Sequence, residues 1–150
     1  MGYIITIKNK RMKDVMMILH FIGLTMGLGT GFANAFLSSV TSKMTVNDAV
    51  NFRLQILALS KMGYLGITLL LISGVYLINP YWNSILMMPL LVIKLALVLI
   101  LVILITLIGH AGSKAKVGDT EMQFKKMELF GKLALLTGVC IVVVAVLMFH

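Results

Sequence analysis

Two residues of this chain carry chemistry at a depth where it is costly. His20 stands in LHFIGLTMGLGTGFANAF, residues 19–36, and Lys94 stands in VIKLALVLIL, residues 92–101. An ionisable side chain inside a long apolar run is expensive and faces a partner, a pathway or a bound group. An imidazole there can ligate haem iron, carry a proton, or hydrogen-bond as a neutral ring to a neighbouring helix. An ammonium there can attract a carboxylate, such as a porphyrin propionate, or snorkel to the membrane interface.

Around His20 the sequence is rich in glycine. Gly23, Gly27 and Gly31 repeat every four residues, with His20 three before the first and Asn34 three after the last. At about 3.6 residues per turn these five share one helix face. Small residues at such spacing let two helices approach closely. The same face would also let a flat macrocycle lie against the backbone beside a histidine ligand.

The elements that must position these residues follow from hydropathy. Four runs, at about 15–40, 57–78, 85–109 and 129–149, are long enough to cross a bilayer, for which roughly 20 apolar residues suffice. None alternates with period two, so each reads as a helix. The links at 41–56, 79–84 and 110–128 are short, which predicts one all-α integral membrane domain over 1–150, an up-down-up-down four-helix transmembrane bundle. Thr45 and Asn47 are candidate helix caps, Pro80 stops the second helix, and Tyr81 and Trp82 suit the headgroup region. In this topology His20 and Lys94 fall in the same half of the bilayer and can share a polar pocket. A second polar set, Lys61, His110 and Lys132 with Glu128 as counter-charge, falls toward the opposite face.

Composition agrees. Hydrophobic residues make up 60% and charged residues 12% of 150 positions, and mean hydropathy is +1.05. A soluble domain of this size has no interior large enough for that much apolar surface, which excludes soluble enzymes, disordered chains and disulfide-rich secreted domains. The net charge of +8 sits in segments flanking the apolar runs. This matches positive loops and anionic lipid headgroups, and no basic helix or aromatic-basic surface points to nucleic acid. Lys8, Lys10, Arg11 and Lys13 vote for a cytoplasmic N-terminus. The bases of 41–56 and 110–128 outvote them and place those two loops in the cytoplasm. Cys140, the single cysteine, reads as a packing residue, and the twelve methionines are dispersed as core filler without a copper-binding cluster.

The chain resembles the HemJ and CopD-like group of small bacterial four-helix membrane proteins from about residue 15 onward. The residues carrying the resemblance are LHFIG with His20, the stretch 27–36, Arg53, LLISGVYL at 70–77, VIKLALVLIL with Lys94, and Gly109-His110. It departs from HemJ in lacking a first-helix tryptophan and in having FKKMELFGK at 124–132.

HemJ proteins are protoporphyrinogen oxidases associated with haem b, in which a first-helix histidine and a third-helix lysine matter. The resemblance implies those roles for His20 and Lys94, and a porphyrin substrate. CopD-like relatives are linked to copper import.

The resulting expectation is a haem- or porphyrin-binding redox protein of the bacterial inner membrane. His20 would be its metal ligand or proton carrier, Lys94 would steer a carboxylate, and Gly23, Gly27 and Gly31 would wall the cofactor. The alternative is a non-enzymatic membrane protein, a small transporter or assembly subunit, with a structural His20. In either case the glycine face would mediate close packing within the subunit, or in a homodimer or trimer.

Overall fold

The computed structural model describes residues 2–115 and 120–149. The chain forms α1 (Gly2–Thr41), α2 (Val46–Ile78), a 3-10 segment (Asn79–Met87), α3 (Pro89–Ala115) and α4 (Thr120–Phe149). All four α-helices contain stretches long and apolar enough to cross a membrane.

The helices extend beyond the apolar runs. The polar tail before residue 15 is helical from Gly2, and most of 41–56 and 110–128 is helical as well. Hydropathy marks what lipid can hold, whereas a helix continues until its backbone ladder is interrupted. At the start of α2 that boundary is Thr45. It sits in extended conformation, its hydroxyl oxygen accepts from the Asp48 amide at 3.4 Å, and the hydroxyl donates to the Asp48 carboxylate at 2.6 Å. Thr45 is therefore the cap, and Asn47 lies inside the helix. Pro80 falls in the first turn of the 3-10 segment, just after α2 ends. The third helix begins at Pro89 rather than near residue 85, because proline has no amide hydrogen and suits a helix start.

α1 and α2 pack with their backbones in contact. A Cβ added to Gly23 would lie 2.8 Å from the Gly66 carbonyl oxygen, and one added to Gly66 would lie 2.8 Å from the Gly27 nitrogen. Farther along, Gly63 receives the Thr30 side chain at 3.2 Å from such a Cβ. Partners descend along α2 as they ascend along α1, so the two helices run antiparallel. α4 lies along α1 through Gly31 against Leu135 and Gly138 against Leu28. α3 packs mainly on α4, and reaches α2 where the Tyr64 hydroxyl donates to the Ile105 carbonyl at 3.4 Å.

Small and polar residues therefore occupy the α1–α2 contact, while many large apolar ones face outward. Ser73 is fully buried and Thr30 and Thr41 nearly so, whereas Phe36 is 78% exposed and Leu99, Leu136 and Val75 are also exposed. In water that arrangement would forfeit the hydrophobic driving force, but against hydrocarbon it is the favoured one.

The 3-10 segment between α2 and α3 exposes Tyr81, Trp82, Leu86 and Met87 together. Trp82 is the only tryptophan, so its fluorescence reports this corner alone. In vesicles, lipids brominated near the headgroup are expected to quench it more strongly than lipids brominated near the bilayer centre. Stronger quenching from the centre would contradict an interfacial position.

Candidate functional site

His20 packs against α2 and is half-buried. Its Nδ1 lies 2.9 Å from Ser73 Oγ. The Ser73 hydroxyl donates to the Leu69 carbonyl at 2.6 Å, so its one proton is committed. With that proton on Leu69, Ser73 Oγ can accept from Nδ1–H, the tautomer that leaves Nε2 as the basic nitrogen of a neutral ring. Gly74 makes room for it, since an added Cβ would lie 3.7 Å from His20 Cε1.

Lys94 of α3 is also half-buried. Lys94 is less deep than hydropathy implied, because α3 starts at Pro89. Five residues of helix amount to about 7.5 Å of rise, within reach of a lysine stem from the helix end.

The glycine face beside His20 is filled. α2 covers Gly23 and Gly27, and Leu135 of α4 stands 3.1 Å from the position of a Cβ on Gly31. These glycines are helix contacts in this fold and leave no wall for a macrocycle. Among the described residues no group of three or more His, Cys, Asp or Glu could hold a metal. His20 can offer one ligating nitrogen, but α2 and α4 occupy the glycine face beside it. The residues around His20 do not fit a haem held inside one subunit.

A second polar centre lies at the other end of α1. From His20 to Thr41 the helix rises about 30 Å. Here Arg53 of α2 donates from Nε and Nη2 to Thr41 Oγ1 at 3.3 and 3.1 Å, and from Nη2 to Glu128 Oε2 of α4 at 3.5 Å. Lys132 Nζ donates to Glu128 Oε1 at 2.9 Å. The guanidinium sits 5.6 Å from the centre of the buried Phe124 ring, within cation–π range. These groups line a half-open cleft of about 120 Å³ to which all four helices contribute.

This centre departs from the second polar set read from the sequence. Glu128 and Lys132 pair as expected, but Lys61 and His110 are exposed and outside the cleft. Arg53, read only as a loop charge and a point of resemblance, supplies the central cation. Asn34, grouped with the glycines by periodicity, lines this cleft. One signal was available: Arg11 and Arg53 are the only arginines, and Glu128 is the acid closest to an apolar run in the second half of the chain.

No family model, no curated protein and no solved structure matches this chain.

Proposed function

We propose that the protein is a non-enzymatic multi-pass membrane protein, a small transporter or an assembly subunit, crossing the bacterial cytoplasmic membrane up-down-up-down. The observation that carries this reading is the backbone contact of Gly23 and Gly27 with Gly66, which fills the face a bound macrocycle would need. With that face closed, the His20–Ser73 bond is a polar tie between α1 and α2. A neutral histidine paired across helices satisfies a group that lipid would leave unsolvated.

A second reading keeps the resemblance to HemJ: a haem b- or porphyrin-binding redox protein with His20 as metal ligand or proton carrier and Lys94 beside it. The tautomer favours it, because a ligating histidine commonly gives its other ring N–H to a hydrogen-bond acceptor. Such a group would have to lie on the outer surface of α1 or between two or three copies of the chain.

An absorption spectrum separates the two. The protein is purified in mild detergent and measured as isolated and after dithionite, with His20→Ala alongside. The expected result is no Soret band in either, even after growth with added haem precursor. A Soret band that sharpens on reduction and vanishes in His20→Ala would sink the first reading and establish the second.

A further inference from the structure

The cleft around Arg53 has the properties of a binding site, and it is independent of His20. Arg53 and Lys132 contribute two positive charges and Glu128 one negative, so the paired cluster keeps one net positive charge. The Arg53 side chain is 23% exposed and that of Lys132 is 61% exposed. Arg53 spends Nε and Nη2 on Thr41 and Glu128. Among the described residues its Nη1 edge makes no hydrogen bond, and Lys132 uses its ammonium once, on Glu128. Guanidinium and ammonium donors of this kind bind phosphate and carboxylate oxygens.

The rest of the lining is of two kinds. Asn34 and Ser60 add neutral polar groups, while Leu37, Ile56, Ile108 and Met127 make apolar walls. A cleft of about 120 Å³ has room for one charged headgroup and the first atoms of a chain. It lies near the end of α1 and the start of α2 and α4, close in sequence to Lys43, Lys125 and Lys126. Basic pockets between transmembrane helices at that level take anionic headgroups.

We propose that this cleft binds one anionic amphiphile, its phosphate or carboxylate on Arg53 Nη1 and Lys132 and its apolar part along Ile56, Ile108 and Met127. A membrane phospholipid and a free fatty acid share that chemistry, and the assay distinguishes them.

Native mass spectrometry of the full chain in detergent would be titrated separately with phosphatidylglycerol, phosphatidylcholine, palmitate and inorganic phosphate. One equivalent of phosphatidylglycerol or of palmitate is expected to be retained at least about tenfold more tightly than phosphatidylcholine, the scale of one charge-assisted hydrogen bond. The tighter of the two names the source. Arg53→Gln and Lys132→Gln are each expected to remove most of that preference. Since Arg53 also ties helices together, Ser60→Phe gives a separate check. Ser60 makes none of the Thr41, Arg53 and Glu128 bonds, so added bulk there should abolish retention in a variant that still unfolds cooperatively. Equal retention of both phospholipids, binding of inorganic phosphate alone, or undiminished retention in a folded Ser60→Phe would overturn the assignment.

Discussion

Replacing Gly66 by alanine is expected to lower the stability of the detergent-solubilised protein by about 3 kcal/mol, at the upper end of the cost of overpacking a tight contact. The new methyl would lie 2.8 Å from the Gly27 nitrogen, 2.9 Å from the Gly23 carbonyl oxygen and 3.0 Å from Met26 Cβ. Two of those atoms are backbone and the third is the root of a side chain, so no rotamer change relieves the clash. Relief requires α1 and α2 to separate along the face that also holds the His20–Ser73 bond. Gly23→Ala meets the Gly66 carbonyl oxygen at 2.8 Å and the Leu70 nitrogen at 3.0 Å, and should cost a similar amount. The double substitution should cost less than the two together, since both force the same separation. Gly29→Ala is the control: nothing lies within 4 Å of its added methyl, and it should unfold at or above the wild-type midpoint, since alanine is the better helix former. Thermal unfolding followed by circular dichroism measures all four. A Gly66→Ala midpoint equal to that of Gly29→Ala would show that the helices do not pack this closely.

The glycines also show where sequence reading stops. Their four-residue repeat identifies one face of α1, because helix geometry alone fixes that. It does not say what covers the face. A neighbouring helix and a flat cofactor ask for the same small residues, and the choice between them rests on Gly63 and Gly66, forty residues away. The helices themselves were legible for a simpler reason, since a run of about 20 apolar residues has few alternatives. Their ends were less legible. Polar residues such as Arg53 and Lys125 continue a helix as readily as leucine does, and only Thr45 and the prolines mark a boundary by local chemistry.

The two polar centres differ in the same way. His20 and Lys94 stand out because each interrupts an apolar run. Ser73 did not stand out, for a serine in a transmembrane helix usually turns back to its own carbonyls, as this one also does. Arg53 and Glu128 each read as charges at the edge of a span. Their pairing crosses 75 positions of sequence, and no local pattern encodes it.

The Arg53–Glu128 pair supports the second large effect. Glu128→Leu is expected to destabilise the protein by about 2 kcal/mol. Breaking a fully buried pair costs about 3–5 kcal/mol, and the exposure of both side chains here screens part of that. The loss has two parts: the Arg53 guanidinium keeps Thr41 but no anion, and the Lys132 ammonium loses its partner. Glu128→Gln retains an acceptor for Arg53 and should cost less. The informative variant is Arg53→Leu combined with Glu128→Leu. Removing one charge strands the other in a low-dielectric cleft, whereas removing both lets the site close on Phe124 and Met127. The double variant should therefore be more stable than the sum of the single losses predicts, and a double-mutant cycle in detergent measures that difference. Strict additivity would mean that the two side chains do not meet, and that α2 and α4 are not joined through this cleft.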